Sequence, residues 1–371
     1  MSFEIKPLSS LIELQRGHDL PSRERTEGTV PVIGSFGVTG WHNVERYAGP
    51  GVAIGRSGAS IGRATYVSQA YWPLNTCLFV RDFKGNDPRW TYWMLHSLDF
   101  AAYNSGSAQP SLNRNYLAQI GVPTPSVRQQ TLIGEMLGAL DDKIASNNRV
   151  NALGMSLLLA KYRAVPKGRG GVNFEEVALV GGGATPSTKK PELWGQGVLW
   201  ATPTDVTALD GVWLDRTERT ISPVGLDSIS SPLYPVGSIA MTSRATIGAC
   251  ALLGEPMAVN QGFIVLQPKQ DSRRHWLYCQ LFDRVEELKA WANGATFLEL
   301  PKKIFRQLPV DLGSESDMDE FAQFATPLVE RLHVLQRENW HLATTRDELL
   351  PLLMSGKITV KDAEKTVEEV V

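Results

Sequence analysis

The sequence predicts an α+β protein in which a β-rich domain followed by a long helix occurs twice. Two sequence blocks recur in the same order at nearly the same offset, and two stretches carry an apolar heptad pattern. The segments before these stretches hold short β-branched runs separated by Gly, Pro and Asn. Together these features predict a pseudo-twofold internal repeat whose two helices pair as an antiparallel coiled coil.

The repeat rests on two blocks. "GASIGRA" at 58–64 matches "RATIGAC" at 244–250, where Ala59 and Ala245 are 186 residues apart. "GSAQPSLNRNYLAQIGVP" at 106–123 aligns with "GATFLELPKKIFRQLPVD" at 294–311 at an offset of 188. Only a two-residue insertion separates the two offsets, so a duplicated domain explains both blocks.

The heptad pattern predicts where the helices meet. Apolar residues alternate at spacings of 3 and 4, but Asn interrupts both copies. The predicted seam consists of Leu137, Leu140, Ile144, Asn151, Leu158, Leu328, Leu332, Leu335, Asn339, Leu342 and Leu349. Asn151 and Asn339 occupy equivalent positions, where a buried polar residue costs stability but fixes register. The alternative is that each helix lies on its own domain and Asn151 faces water.

The predicted layout follows the repeat. It comprises a β-rich domain at 1–125, a helix at 126–164, a Pro- and Gly-containing linker at 165–171, a second β-rich domain at 172–311, a helix at 316–356 and an acidic tail at 357–371. Shorter helices are expected within 88–103 and 273–291, one in each β-rich domain. The tail is expected to be a short strand or disordered.

Composition indicates an ordinary globular protein, with 43% hydrophobic and 20% charged residues. Cys77, Cys250 and Cys279 lie far apart without a C-x-x-C pair, which predicts a reducing compartment and no disulfide or zinc framework. No signal peptide or apolar run of membrane-spanning length is found, so a cytoplasmic location is expected.

Charge argues against a strongly basic nucleic-acid binder, since the net charge is −2. By segment it is +2 for 1–125, +4 for 126–171, −2 for 172–311 and −6 for 312–371. Any contact with nucleic acid must therefore be local, or shared with a partner that brings more positive charge.

The sequence contains no H-E-x-x-H, G-x-S-x-G or Walker A motif, and the glycines at 179–187 are interpreted as a turn into a loop. The Asn/Asp-Pro-Pro-aromatic motif of amino-methyltransferases is also absent. These absences favour a binding protein over an enzyme. Two copies of one binding domain match a target with two half-sites, such as duplex DNA. The geometry of the protein then sets the spacing between the half-sites.

Several stretches are similar to the DNA-specificity subunit of type I restriction–modification systems. They are "LIELQRGHDLP" at 11–21, "GPGVAIGRSGASIG" at 49–62, "YWPLNTCLFVRD" at 71–82, "NSGSAQPSLNR" at 104–114, "LGALDDKIASNNR" at 137–149 and "GGGATPSTKKPELWGQGVLWATPTDV" at 181–206. The resemblance covers nearly the whole chain. Its most specific parts are the "LDDKI" helix and the openings of the two domains.

This resemblance implies a non-catalytic subunit with two target-recognition domains, each reading one half of a split DNA sequence. It implies that the helices set the spacer and dock two methyltransferase subunits, which use S-adenosylmethionine to methylate adenine N6. Restriction subunits that hydrolyse ATP with Mg would join the larger complex. The chain itself would bind no cofactor or metal.

Side chains that contact the edges of DNA bases, which we call readers, are expected among polar loop residues, above all Arg, Lys, Asn and Gln. The candidates are Arg23, Arg25, Arg56, Ser57, Arg63, Gln109, Asn113, Arg114, Thr188, Lys189, Lys190, Ser243, Arg244, Lys302 and Lys303. For each of them the competing interpretation is a solvated or backbone-capping side chain. Two other functions stay open, a protein–protein scaffold of the same duplicated architecture that no longer reads DNA, and an enzyme with an unrecognised site.

Overall fold

The computed structural model describes residues 3–100, 112, 114–294 and 298–368. In the first half the strands are β1 (Glu4–Pro7), β2 (Glu13–Arg16), β3 (Val30–Gly34), β4 (Gly37–His42), β5 (Gly51–Gly55), β6 (Ala64–Val67), β7 (Trp72–Pro73), β8 (Cys77–Asp82) and β9 (Gly121–Thr124). The helices are α1 (Leu8–Leu11), α2 (Pro88–Ser97), α3 (Arg114–Leu117) and the long α4 (Val127–Ala164).

The second half repeats this series with additions. Its strands are β10 (Gly168–Asn173), β11 (Ala178–Gly182), β12 (Trp194–Ala201), β13 (Trp213–Leu214), β14 (Thr220–Ile221), β15 (Ile239–Thr242), β16 (Cys250–Leu253), β17 (Met257–Val259), β18 (Phe263–Pro268) and β19 (Pro309–Leu312). Its helices are α5 (Phe174–Val177), α6 (Pro203–Thr207), α7 (Pro223–Asp227), α8 (Arg274–Asp283), α9 (Val285–Ala290), α10 (Lys302–Gln307), α11 (Glu315–Ser355) and α12 (Val360–Glu368).

Sheet topology confirms the internal repeat. The order β2-β8-β5-β6 in the first domain recurs as β11-β18-β15-β16 in the second, which adds β13 at the edge. A second sheet is β4-β3-β7 in one domain and β14-β12-β17 in the other, with a parallel β3–β7 or β12–β17 pair. An antiparallel pair precedes each long helix, β1 with β9 and β10 with β19.

The domain helices α2 and α8 show the repeat at the level of side chains. Trp90 and Trp276 occupy equivalent positions at an offset of 186, and each is fully buried in the core of its own half. Asp87 caps α2, because its side chain accepts a hydrogen bond from the Trp90 N–H at 2.9 Å and Pro88 follows as the first helical residue. Neither tryptophan stood out in the sequence as a shared position.

By internal contacts the chain divides into two compact units, Met1–Ile144 with Asn339–Val371, and Ala145–Glu338. The division passes through both long helices, so each unit holds one β-rich domain and a segment of α4 and of α11. In the first unit Ile133 and Leu137 share a core cluster with Leu349 and Leu353. In the second, Leu158 shares one with Val329 and Leu332.

Contacts in the second unit fix the direction of the helices. The Asn147 amide donates to Glu338 Oε2 at 2.9 Å, and Gly154 lies against Leu332, where an added Cβ would come 2.6 Å from Leu332 Cδ2. Residue numbers therefore rise along α4 as they fall along α11, which is an antiparallel pair. In the first unit Arg346 on α11 forms an ion pair with Asp141 on α4 at 2.5 Å.

Burial along the predicted seam is uneven. Leu137, Leu140, Leu158, Leu332, Leu335, Leu342 and Leu349 are buried, whereas Ile144, Leu328 and Asn339 are half-buried. Asn151 is only 6% exposed and neither its amide nitrogen nor its carbonyl oxygen has a hydrogen-bond partner. The interpretation that Asn151 faces water is therefore wrong. So is the idea that α4 lies only on the domain before it, because Leu158 packs in the core of the second unit.

Three local expectations also differ from the structure. The predicted linker at 165–171 is partly strand, since β10 begins at Gly168 and pairs with β19, which supplies its backbone with hydrogen-bond partners. The tail is neither strand nor disorder in its described part: α12 buries Ala363 in the first core cluster. The helix expected within 273–291 is two helices, because Arg284 between them bonds Glu287 and the Pro309 carbonyl.

Candidate nucleic-acid interface

The first β-rich domain brings three connections together at one edge of its sheets. They are the turn Ser35–Phe36 between β3 and β4, the loop Arg56–Arg63 between β5 and β6, and Asn75–Thr76 between β7 and β8, and we call them the first loop cluster. The Gly55 N–H donates to the Arg63 carbonyl at 2.9 Å, which closes the base of the second connection. Arg56 Nη1 donates to the Asn75 carbonyl at 3.4 Å and ties the second connection to the third.

The turn Ser35–Phe36 lies directly beside the Arg56–Arg63 loop. An added Cβ on Gly55 would stand 2.7 Å from the Ser35 carbonyl oxygen, so only glycine allows this approach. Phe36 is 58% exposed at the tip of the turn. The guanidinium of the exposed Arg63 lies over its ring, with Arg63 Cζ 5.7 Å from the ring centroid. The cluster therefore presents a cation and an aromatic ring together.

The second β-rich domain builds an equivalent surface from equivalent strands. Its second loop cluster consists of Pro203–Thr207 (α6) after β12, Ser243–Ala249 between β15 and β16, and Asn260–Gly262 between β17 and β18. Matching backbone bonds establish the equivalence. Thr242 N–H donates to Ala249 O at 2.8 Å, as Gly55 does to Arg63. Asn260 N–H donates to Ala201 O at 2.9 Å, as Leu74 does to Ile33 at 2.8 Å in the first domain.

The second loop cluster encloses an open cleft of about 310 Å³. Six of its nine lining residues are polar, namely Arg244, Thr246, Asn260, Gln261, Thr204 and Thr207. Asn260 Oδ1 accepts the Gly262 N–H at 2.8 Å, and Gln261 Oε1 accepts the Thr185 hydroxyl, so these oxygens hold the two amides in place. Amide groups and an arginine on one concave surface are the side-chain types that recognise base edges.

Electrostatics differ between the two clusters. Arg244 forms an ion pair with Glu299 at 2.9 Å, and both side chains are 44% exposed. In the first cluster Arg56 donates to a backbone carbonyl and Arg63 lies over Phe36. The second cluster is therefore the less positive of the two, as the charge of its domain already indicated.

The other predicted readers differ in exposure and in their contacts. Arg23, Arg114, Thr188, Lys189, Lys190, Lys302 and Lys303 are exposed, whereas Gln109 and Asn113 lie outside the described residues. Ser57 is half-buried and belongs to the first cluster. Arg25 donates from Nη1 to the Thr39 carbonyl at 3.1 Å, so it stabilises the hairpin formed by β3 and β4. Ser243 is 3% exposed, which places its side chain below the surface that a base could reach.

Sequence reasoning missed Phe36, Thr204, Asn260 and Gln261. Three of the four are polar loop residues, but nothing in the sequence shows that the connections after β12 and β17 meet the "SRATIG" loop. A signal existed for Phe36, because an apolar residue is unusual between Ser35 and Gly37 in a tight hairpin turn.

The described residues hold neither a metal site nor a membrane-spanning helix. No group of three or more His, Cys, Asp or Glu side chains is arranged to hold a metal ion. No described helix has both the length and the apolar character needed to cross a bilayer. The three cysteines are free and buried.

Comparison with solved structures gives the fold. The S subunit of a type I restriction–modification system from M. genitalium aligns over 95% of this chain and 96% of its own, with a TM-score of 0.64 and 16% identity. At that identity the likeness establishes the architecture alone.

Sequence relatives are named as specificity subunits. The type I restriction enzyme MjaIX specificity subunit of Methanocaldococcus jannaschii is 32% identical over 160 residues, 43% of this chain. The HindI specificity subunit of Haemophilus influenzae is 26% identical over 197 residues, 52% of this chain. The matched regions span only 37% and 42% of the two relatives.

The family model of the type I restriction modification DNA specificity domain matches the chain twice, over residues 2–153 and 170–333. Each match covers one β-rich domain with a loop cluster. The chain therefore belongs to the type I restriction modification DNA specificity family.

Proposed function

We propose that this chain is the sequence-reading subunit of a type I restriction–modification complex, and that each loop cluster reads one half of a bipartite duplex. The observation that carries the proposal is that equivalent strands present the same three-connection surface twice, each time with an exposed arginine (Arg63 or Arg244). Two copies of one reader match a target with two half-sites.

The proposed complex supplies the chemistry that this chain does not. Two methyltransferase subunits would dock on the long helices and use S-adenosylmethionine to methylate adenine N6, and restriction subunits would hydrolyse ATP with Mg. The chain would bind none of these cofactors and would not be catalytic. With a net charge of −2, it would depend on these partners for much of the contact with DNA phosphates.

One face of α4 supports the docking proposal. Val150, Leu153 and Leu157 are 46%, 61% and 49% exposed and lie at helical spacing, so they form one apolar stripe. Substituting Leu153→Glu should reduce the amount of methyltransferase that copurifies with the chain. Ala152→Glu, at an exposed position beside the stripe, adds the same single negative charge and serves as the control. Equal copurification of wild type and both variants would contradict docking at this stripe.

The central test is selection of a target. The chain, co-expressed with methyltransferase subunits and mixed with random duplexes, should enrich a sequence with two fixed halves separated by unread base pairs. Methylated adenines in cells carrying the system should fall in the same sequence. Enrichment of only one half, or of none, would contradict a two-cluster reader.

The helices provide a separate test. Four residues inserted into both α4 and α11 add about 6 Å of helix, which should lengthen the unread gap by about two base pairs at ~3.4 Å each. An unchanged gap would show that the helices do not set the spacing.

A scaffold without DNA recognition is the second candidate function. The near-neutral charge and the pairing of Arg244 with Glu299 favour it. It predicts that methyltransferase subunits copurify with the chain but that no sequence is enriched from random duplexes.

A further inference from the structure

The two loop clusters differ in the connections that follow the equivalent strands β3 and β12. Ile33 and Ala201 are equivalent, because the Leu74 N–H donates to Ile33 O as the Asn260 N–H donates to Ala201 O. Three residues further on, the chain reaches Phe36 in a hairpin turn in one domain and Thr204 in α6 in the other. Thr204 lines the cleft of the second cluster, whereas Phe36 projects from a two-residue turn, since Gly34 and Gly37 are register partners. The first cluster therefore carries an aromatic side chain where the second carries a hydroxyl.

Phe36 is held in place by its surroundings. The close approach of Ser35 to Gly55 fixes the turn against the Arg56–Arg63 loop, and Gly37 adopts a φ of +99° that glycine accommodates at little cost. Arg63 covers one face of the ring. The rest of the ring is open to solvent beside the side chains predicted to read bases.

We propose that Phe36 makes an apolar contact with the 5-methyl group of a thymine in the major groove of the first half-site. The inference rests on the proposed function and adds to it a base preference confined to one half. Among the groups that base pairs present in the grooves, the thymine methyl is the apolar one, and Phe is a side chain that contacts it.

Insertion of the ring between base pairs is the other use that proteins make of such a side chain. Full insertion stacks both ring faces against the neighbouring bases. The guanidinium of Arg63 occupies one face of Phe36, so the geometry favours contact through the ring edge.

Replacement of thymine by deoxyuridine tests the contact, because it removes only the methyl group. With the selected duplex and the complex purified with its methyltransferase subunits, one substitution in the first half should weaken binding roughly four-fold, which corresponds to ~0.8 kcal/mol for one buried methyl or methylene group. Phe36→Ala should bind the thymine and deoxyuridine duplexes equally, while Phe36→Leu should keep part of the preference.

Val38→Ala is the matched control, since Val38 is 53% exposed on the same hairpin, and it should retain the four-fold preference. Thermal melting of each variant separates a folding defect from loss of the contact. The inference is overturned if the first half contains no thymine, if no deoxyuridine substitution there weakens binding, or if Phe36→Ala keeps the preference. Failure of the complex to select a bipartite sequence would overturn the proposed function itself, and this inference with it.

Discussion

The two repeats place a domain helix against a long helix in the same way, yet the contacts differ. In the first unit Arg89 on α2 donates to Asp142 on α4 at 2.8 Å, and Gly138 makes room, because an added Cβ would come 2.1 Å from Arg89 Nη1. In the second unit His275 on α8 is equivalent to Arg89, and its Nδ1 lies 3.4 Å from Oγ1 of Thr326, the residue of α11 that is equivalent to Gly138. An ion pair at the surface has been exchanged for a buried imidazole.

The loop clusters differ in the same manner. Equivalent strands carry Phe36 with Arg63 in one domain, and Thr204, Asn260 and Gln261 around Arg244 in the other. Backbone hydrogen bonds and strand order are kept, while the side chains at the contact positions change. The two repeats therefore share the same backbone fold but differ in the side chains that would contact DNA.

The largest expected difference between the repeats is in the packing of the helices. Leu332 is 2% exposed and fills the space over Gly154, whereas its equivalent Ile144 is half-buried. Leu332→Ala should lower the free energy of unfolding by about 2–5 kcal/mol, the usual cost of a core cavity. Urea denaturation should show a smaller loss for Ile144→Ala, and equal losses would contradict unequal packing of the two repeats.

Acid should affect the second unit through His275. Burial, helped by the charge of Arg274, lowers the pKa of His275 from 6.5 to about 4. The unfolded chain binds this proton first, so stability is complete above about pH 6.5 and falls as the pH drops towards 4. The loss is about 3 kcal/mol at most, at 1.36 kcal/mol per pKa unit.

His275→Gln should flatten this part of the curve when unfolding by urea is measured at pH 7 and pH 4.5. The equivalent Arg89 stays charged throughout this range, so Arg89→Gln should leave the pH dependence unchanged. Parallel curves for wild type and His275→Gln would show that the imidazole does not control acid stability.

Arginine substitutions should show which loop cluster recognises which half of the target sequence. Arg63→Ala should reduce discrimination in the first half of the selected sequence, and Arg244→Ala in the second half, each by about 1–3 kcal/mol if the arginine contacts a base. Binding to duplexes with single base changes measures this. A uniform loss across both halves would indicate phosphate contacts instead.

The smallest expected effects concern the polar residues of α4. Asn151 is buried without a partner, so Asn151→Leu should stabilise the protein by about 1–2 kcal/mol. Asn147 donates to Glu338, and Asn147→Leu should destabilise the protein by a similar amount, because this hydrogen bond to a partly buried carboxylate is lost. Opposite shifts in melting temperature are expected, and shifts of the same sign would contradict this assignment.

Sequence patterns predicted the repeat, both long helices and their pairing, because heptad spacing and block offsets survive divergence. Val127 and Glu315 begin the two helices 188 residues apart, which is the offset of the second sequence block. Local patterns were less informative at chain segments whose structure depends on distant partners. β10 forms because β19 pairs with it, and α12 forms where Ala363 packs into the first core cluster.

The sequence by itself determined that the chain contains an internal duplication and that the "GASIG" and "RATIG" loops are equivalent in the two repeats. Tertiary structure alone decided which side chains accompany those loops, since Phe36, Asn260 and Gln261 are brought there by strands distant in sequence. The physical reason is that periodicity and turn chemistry are encoded locally, whereas a binding surface at a sheet edge depends on strand order, which no local pattern specifies.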